Sequence, residues 1–251
     1  MRLPNRLATF LATHRFRPGW LPTLGAIAIV ALTLALGNWQ RHRAADKDAL
    51  AAQFAAAASA PPVDLAAGDT DPTRLRFRTV RARGEYDGAR QLFIDNKVQA
   101  GRVGYHVVTP LKLAGSERFV LVDRGWIAQG ARRGELSAVP PPAGMLTVVG
   151  RANLPPRRYL ELGDGQDSKV LWENLDIARI AAATGLELLP VIIEQTDPVA
   201  PADGLVRDWP APGLGADQNR SYMLQWYSFA LLAVVAWLSL NWRSHDADAR
   251  T

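Results

Sequence analysis

Four histidines are the side chains of this sequence best suited to hold a metal, because the chain contains no cysteine. His14 and His245 lie near the two ends, His42 follows a long apolar segment, and His106 belongs to the segment Gly104–Pro110. None of them forms an HExxH motif or another pair at the spacing of metal ligands. His42 is predicted to be either solvated or a ligand, and His106 to be either structural or a ligand.

The sequence contains no motif of an enzyme active site. It has no GxSxG, no phosphate-binding loop and no GxGxxG after a strand. Asp123 beside Arg124, and Glu173 near Asp176, would form a carboxylate pair only through tertiary contacts, and the simpler interpretation is surface or ion-paired residues. The lack of cysteine excludes disulfides, thiol redox chemistry and thiolate metal sites. We therefore expect a protein that is not an enzyme.

Two long apolar segments flank the candidate residues and would fix their position relative to a membrane. Residues 18–40 and 221–242 carry no charge, and each exceeds the roughly 20 residues that a helix needs to cross a bilayer. They predict transmembrane helices over 20–40 and 221–242. A cleaved signal peptide is the alternative for the first, although bulky Trp39 and Gln40 stand where a small-residue cleavage site would be. A buried core helix is the alternative for the second.

The distribution of charge predicts the topology. The isoelectric point of 9.9 could suggest a nucleic-acid partner, but residues 41–220 are nearly balanced. The excess lies in residues 1–19, which carry four arginines and no acidic residue. Positive charges beside a transmembrane helix stay in the cytoplasm. We therefore expect cytoplasmic tails at 1–19 and 243–251, the domain 41–220 outside, and no nucleic-acid binding.

Between the two helices the pattern predicts a small β-rich domain. Residues 41–59 favour a helical stalk that ends at Pro61 and Pro62. Short alternating segments bounded by Gly, Asp and Asn then indicate an antiparallel, barrel-like or sandwich-like fold. The predicted elements are a strand from Leu75 to Gly84, strands at Gln91–Asp95, Tyr105–Leu113, Arg118–Trp126, Leu146–Ala152, Lys169–Glu173 and Leu188–Glu194, and a short helix at Asp176–Thr184.

Aromatic and amide side chains meet where the two helices leave the membrane. Trp39, Trp226 and Tyr227 could simply anchor the helices at the interface. Alternatively, the helices pair and present these rings, with nearby amides, to an apolar ligand with a polar rim, because amides at membrane depth prefer a helix partner or a cavity to lipid. The amides concerned are Asn38, Gln40 and Gln225.

Five segments, in order along the chain, together resemble the Surfeit locus protein 1 family, assembly factors for cytochrome c oxidase. Each motif is weak by itself, but their ordered succession from residue 36 to 242 is specific. The residues that carry the resemblance are Leu36-Gly37-Asn38-Trp39-Gln40-Arg41-His42-Arg43 with Lys47, Gly84-Glu85-Tyr86, Gly101 with Gly104-Tyr105-His106-Val107-Val108-Thr109-Pro110-Leu111, Val120-Leu121-Val122-Asp123-Arg124-Gly125-Trp126-Ile127, and Tyr222-Met223-Leu224-Gln225-Trp226-Tyr227.

The resemblance implies a protein of the bacterial inner membrane whose domain lies in the periplasm. Its implied role is to aid haem a insertion into the large subunit of cytochrome c oxidase, with that subunit, the haem a synthesis machinery and membrane lipid as partners. Some members bind haem a through a histidine shortly before the second helix. That position is Asn219 here, and an amide is a poor iron ligand, so His42 and His106 are the substitute candidates for a transient haem site.

One alternative from another class stays open. A membrane-anchored periplasmic scaffold or ligand sensor without any haem role would show the same helices and the same absence of catalytic motifs.

Overall fold

The computed structural model describes residues 14–130, 136–155, 170–197, 203–212 and 215–244 of the 251-residue chain. Most of both predicted tails lies outside these residues. The described elements are β1 (His14–Phe16), α1 (Trp20–Ser59), β2 (Val63–Asp64), α2 (Pro72–Leu75), β3 (Thr79–Tyr86), a 3-10 turn (Gly88–Arg90), β4 (Leu92–Gln99), β5 (Arg102–Leu113), β6 (Phe119–Ala128), β7 (Met145–Asn153), β8 (Leu171–Trp172), α3 (Ile177–Thr184), β9 (Leu188–Gln195), α4 (Ala216–Asn241) and β10 (Trp242–Ser244).

The chain divides into two compact units, one formed by residues 1–52 with 212–251 and the other by residues 53–211. In the first unit, α1 and α4 are long and apolar enough to cross a membrane. Their apolar side chains are largely exposed, whereas a core helix of a soluble protein would bury them. The expectation of two apolar helices around a β-rich region with short helices is confirmed.

The two long helices run antiparallel and pack along a face of small and polar residues. The buried positions of α1 are Thr33, Gly37, Gln40 and Ala44, whose spacing of three and four residues places them on one side of a helix. A Cβ atom at Gly37 would lie 2.5 Å from the ring of Tyr227 in α4. Only glycine therefore lets the tyrosine ring lie against the helix backbone.

In the second unit, five strands close into a barrel. The hydrogen-bonded order is β3–β7–β9–β6–β5, and β3 also pairs with the end of β5, which closes the ring. β4 adds to the other half of β5, β8 adds to β4, and β2 adds to β3. The apolar interior is built from alternate residues of the ring strands: Val80, Ala82, Leu111, Leu113, Val120, Val122, Val148, Ala152, Leu189, Val191 and Ile193.

The ring agrees with the expected barrel-like fold, but the sheet is mixed and not antiparallel as predicted. β6 and β9 are parallel, as are β4 with β8 and β2 with β3. About 60 residues separate β6 from β9 in sequence, enough for the chain to return and enter in the same direction. Alternation of apolar and polar residues identifies a strand but does not identify its partner.

Strand β3 begins later than the strand predicted from Leu75. A short helix, α2, precedes it, with Asp71 as its N-cap and Pro72 in its first turn. Phe77 then takes a left-handed conformation, with φ of 65°. Both features break an extended chain, and the strand therefore starts at Thr79 instead of Leu75.

The predicted hairpin between β5 and β6 is confirmed, with one irregularity. Val107 faces Gly125 and Val108 faces Asp123, so Arg124 is the extra residue of a β-bulge. On the outer face of these strands Val108 and Leu121 pack with Ile180 of α3. The bulge residue, Arg124, belongs to the Arg-Gly-Trp segment that resembles the family motif.

Candidate functional site

A histidine and an aspartate form a close pair on the outer face of the barrel. His106 in β5 and Asp123 in β6 share this face, and His106 Nδ1 lies 2.6 Å from Asp123 Oδ2. The His106 side chain is 23% exposed, whereas that of Asp123 is 6% exposed. A buried carboxylate therefore fixes the orientation of a histidine that remains partly accessible.

The surroundings of Asp123 shift the pKa of its carboxyl in opposing directions. Burial raises the pKa of the Asp123 carboxyl, and the hydrogen bond from His106 opposes this effect. The charge of Glu194, which faces Asp123 across the β6–β9 pair, also raises this pKa. Arg151 neutralises Glu194 at 2.6 Å. Because burial disfavours the charged carboxylate, the hydrogen bond from His106 is the interaction that favours it most.

Two further side chains border this pair. The ring of Trp209 lies 5.4 Å from the His106 ring, at an interplanar angle of 60°, and its Nε1 donates to the carbonyl of Gln195 at 2.8 Å. Burial lowers the pKa of Lys97, while the charge of Asp123 raises it. The histidine is thus held by a carboxylate and bordered by an indole.

Arg124, the arginine of the predicted motif, lies inside the domain and not on its surface. Its side chain is 1% exposed, and its guanidinium donates to the carbonyls of Val139 and Pro140 and to Gln91 Oε1 at 2.9–3.3 Å. Asp203 lies 3.5 Å away, and the guanidinium carbon lies 5.7 Å from the centre of the Tyr86 ring. Arg124 therefore joins the barrel to two loops.

Gly125 and Trp126 also contact one of the loops that Arg124 joins to the barrel. Gly125 has a φ of 142°, and a Cβ there would press on Leu205 and Val206. Trp126 is buried, forms a backbone bridge to Val206, and donates from Nε1 to the carbonyl of Lys97 at 2.8 Å. Glycine is the residue that adopts this backbone conformation without a steric penalty. The structure thus gives the Arg-Gly-Trp segment contacts inside the domain.

The remaining motif residues of β5 are also buried. Tyr105 packs edge-on against Phe93 at 6.3 Å. Thr109 donates to Gln91 Oε1 at 3.0 Å, and Pro110 accepts through its carbonyl from the Asp87 amide at 2.8 Å. These residues stabilise the sheet and the turn after β3.

In the helical unit, three polar side chains form a closed network at Asn219. Its Nδ2 donates to Gln40 Oε1 at 2.6 Å, and its Oδ1 accepts from Lys47 Nζ at 2.7 Å. Lys47 also donates to the carbonyl of Gly215 at 3.3 Å. Both polar atoms of the Asn219 amide are therefore engaged, beside a positive charge.

The other motif residues of α1 point away from this network. His42 and Arg43 are exposed, and Trp39 is 56% exposed. His42 follows Gln40 by two residues, which corresponds to a rotation of about 200° around the helix. The structure therefore does not bring His42 to Asn219 or to α4.

The aromatic residues of α4 divide between the helix pair and the exterior. Tyr227 packs on Gly37 and donates to Asn38 Oδ1 at 3.0 Å. Trp226 packs edge-on against Phe229 at 5.8 Å, and Tyr222 is exposed. At the opposite end of the pair, Trp237 donates to Thr23 Oγ1 at 3.1 Å. Polar contacts thus join the helices near both ends of the pair.

Sequence reasoning missed the partners of His106 and Asn219. The hairpin register gave one usable signal, because it places Asp123 opposite Val108, two residues from His106 and on the same face of β5. Trp209 had no signal, since it lies in an irregular segment. Within the described residues there is no group of three His, Asp or Glu side chains that could hold a metal ion.

Comparison with known proteins identifies the family. The model of the SURF1 family matches residues 27–231. The chain is 25% identical to Surfeit locus protein 1 of Mus musculus over 229 residues, which covers 84% of the chain and 72% of that protein. It is 29% identical to a SURF1-like protein of Drosophila melanogaster over 242 residues, covering 87% and 76%.

A third relative aligns over most of both chains. A SURF1-like protein of Monosiga brevicollis is 21% identical over 225 residues, covering 86% of the chain and 85% of that protein. Since the family match runs from α1 through the barrel into α4, this chain belongs to the SURF1 family.

Proposed function

We propose that this protein is a non-enzymatic assembly factor of cytochrome c oxidase that assists the maturation of the large subunit, in particular the insertion of haem a. The observation that carries the proposal is the family match over residues 27–231. It includes parts of both long helices and the whole barrel between them. The match therefore extends over the architecture as a whole and not over a single motif.

The proposed location is the inner membrane of a bacterium, with both termini in the cytoplasm and the barrel in the periplasm. Exposed apolar side chains on α1 and α4 support insertion in lipid. Four arginines before α1, without an opposing acid, support the orientation.

A haem bound at Asn219 does not fit the residues present. The amide is a weak donor to iron, and both of its polar atoms are engaged by Gln40 and Lys47. The ammonium group of Lys47 would also oppose a ferric cation at this point. We therefore derive no haem-binding step through Asn219.

The proposed mode of action is contact of the helix pair with the large subunit and with the haem a synthesis machinery. Trp39 and Tyr222 are exposed near the ends of the polar network. Aromatic side chains are enriched at the centres of protein interfaces. These two rings are the proposed contact residues.

The closed network at Asn219 also supports a second candidate function. A membrane-anchored periplasmic scaffold or ligand sensor without a haem role would need no ligand at that position. The two functions differ in their effect on the oxidase, which the deletion experiment below measures.

We expect a cysteine at Gly68 to be labelled from outside intact cells. The natural chain has no cysteine, and a Cβ at Gly68 meets no atom within 4 Å, so Gly68→Cys gives a single reactive thiol. A membrane-impermeant maleimide should modify it directly. Arg250→Cys, in the tail predicted to be cytoplasmic, is the control and should react only after permeabilisation. The reverse pattern would contradict the proposed orientation.

We expect deletion of the gene to remove most of the haem a absorbance of the oxidase, because the large subunit would lack its assembly factor. Reduced-minus-oxidised spectra of membranes, together with an immunoblot of the large subunit, measure this. The strain must contain no second member of the family, because such a protein could replace the deleted one. Normal haem a content in that strain would favour the scaffold or sensor.

Complementation then tests the helix pair. The natural chain should restore haem a absorbance, whereas the double variant Trp39→Ala with Tyr222→Ala should restore less. The matched control is Val98→Ala, which also truncates an exposed apolar side chain. Equal amounts of each variant in the membrane must be verified by immunoblot.

A further inference from the structure

The first and last described segments of the chain pair with each other beside the ends of the two long helices. β1 and β10 form an antiparallel ribbon in which Arg15 is paired with Arg243. The Arg17 amide donates to the carbonyl of Asn241, the last residue of α4, at 2.9 Å. The ribbon therefore brings together the arginines that flank α1 and α4.

Two arginines at paired positions favour a bound anion. Like charges directly opposite each other in an antiparallel pair are destabilising, and Arg15 and Arg243 occupy such positions. Arg15 is exposed, and residues 14–30 and 231–244 contain no aspartate or glutamate. The two tails together carry six arginines against two acidic residues. This end of the helix pair is therefore electropositive.

Aromatic rings lie beside the ribbon. The Phe16 ring lies 5.4 Å from that of Trp237 and 5.9 Å from that of Trp242, and Trp20 is 74% exposed. Tryptophan is enriched where a transmembrane helix passes from the hydrocarbon to the head groups of the bilayer. When both helices span the membrane, the ribbon therefore lies at the depth of the lipid phosphates.

An apolar groove extends from the ribbon along the two helices. It has a volume of about 260 Å³, and it reaches Asn241 at the end of α4. Small and aliphatic side chains of both helices line it, among them Ile29, Ala233 and Leu240. A Cβ atom at Gly25, which also lines the groove, would meet no atom within 4 Å. The groove therefore offers open apolar space next to a positive charge.

We propose that the ribbon and the groove bind one anionic phospholipid of the cytoplasmic leaflet, with its phosphate beside Arg15 and Arg243 and an acyl chain in the groove. The inference rests on the proposed location in the membrane. Basic pockets between transmembrane helices on the cytoplasmic side are suited to anionic head groups. An apolar partner helix would cover the groove but leave the arginines without an anion, whereas a phospholipid satisfies both.

The test uses the purified full chain in detergent, titrated with phosphatidylglycerol or with phosphatidylcholine, and native mass spectrometry counts the lipids bound per chain. We expect one phosphatidylglycerol to bind more tightly than any phosphatidylcholine. Arg15→Gln with Arg243→Gln should weaken its binding by about 30-fold, because each basic residue near an anionic lipid contributes roughly a factor of five. Lysine at both positions should keep the preference, since the charge remains.

Matched controls separate this site from a general attraction of anionic lipid. Arg41→Gln removes an exposed arginine at the other end of α1 and should leave the preference unchanged. Gly25→Leu would fill the groove and should reduce the bound phosphatidylglycerol. Ala28→Leu adds the same bulk at an exposed position outside the groove and should not reduce it. Circular dichroism verifies that each variant keeps its helices.

Inorganic phosphate distinguishes a lipid site from a site for any small anion. At millimolar concentration it should not displace the lipid, because it has no acyl chain for the groove. Displacement by phosphate would overturn the proposal, as would equal binding of the two lipids. Phosphatidylglycerol binding that survives the double glutamine variant or Gly25→Leu would also overturn it.

Failure of this inference and failure of the proposed function give different results. If the chain binds both lipids equally and the deletion strain lacks haem a, the lipid site is wrong and the assembly role stands. If the chain prefers phosphatidylglycerol and the deletion strain has a normal oxidase, the assembly role is wrong and the lipid site stands.

Discussion

Replacing Arg124 by leucine is expected to lower the free energy of unfolding by about 3–5 kcal/mol, the usual cost of removing one partner of a buried charge network. The guanidinium is 1% exposed and donates to two loop carbonyls and to Gln91. Without it, the carbonyl of buried Val139 would lose this donor, whereas Gln91 Oε1 would keep the hydrogen bond from Thr109. Asp203 would keep Arg207 as its partner.

The reason for this large effect is that Arg124 occupies a bulge and points into the barrel. It lies 5.7 Å from the centre of the Tyr86 ring, whose hydroxyl is 3.4 Å from Gln195 Oε1. Burial raises the pKa of Tyr86 well above its ordinary range, so the tyrosine stays neutral. Leucine would fill only part of this space and satisfy none of its polar atoms.

The measurement is urea unfolding of the full chain in detergent, followed by tryptophan fluorescence. Arg81→Leu is the control, because Arg81 forms an exposed pair with Asp64, and such pairs contribute about 0–1 kcal/mol. Arg124→Lys should fall between the two, since it keeps the charge but offers fewer directed donors. Equal losses for Arg124→Leu and Arg81→Leu would show that the buried network does not stabilise the barrel.

Replacing Gly84 by alanine is expected to cost about 2–3 kcal/mol through overpacking. Gly84 pairs with Leu113 where β3 meets β5, which is the junction that closes the ring. A Cβ there would press on the backbone carbonyl of Lys112 and lie 3.0 Å from Leu111 Cγ. Because the obstacle is backbone, the strands must separate to make room.

Hydrogen exchange localises the effect. The amides of Asp87 and Ala114 donate across this junction to the carbonyls of Pro110 and Arg83, and they should exchange faster in Gly84→Ala because opening of the ring exposes them. Gly68→Ala is the matched control: a Cβ at Gly68 meets nothing within 4 Å, and its stability should change by no more than about 0.4–1 kcal/mol. A Gly84→Ala protein as stable as Gly68→Ala would exclude tight closure at this junction.

Some strand pairs of the barrel can be predicted from the sequence and others cannot. The hairpin of β5 and β6 was predictable, because two alternating segments are joined by a short turn and local spacing determines their pairing. The parallel pairing of β6 with β9 was not, because its partners lie far apart in sequence. The strand expected from Leu75 was misjudged because the capping by Asp71 competed with strand character.

The candidate site shows the same division. The Arg-Gly-Trp segment was identified as a motif, but only the structure shows that Arg124 is buried and that Gly125 needs its positive φ. His106 was a candidate ligand without a partner. The hairpin register places Asp123 opposite Val108, on the face that carries His106, but alternation alone does not show that the two side chains make contact.

The sequence by itself determined two long apolar segments, the charge distribution around them, the absence of cysteine and the family resemblance. These properties depend on composition and local order, which need no folded chain. The tertiary structure decided which residues meet: His106 with Asp123, Arg124 with two loops, and Asn219 with Gln40 and Lys47. The Asn219 contacts join residues 172 and 179 positions apart, and the other two depend on strand register and on the return of loops to the barrel. The energy of each contact depends on the water that folding excludes.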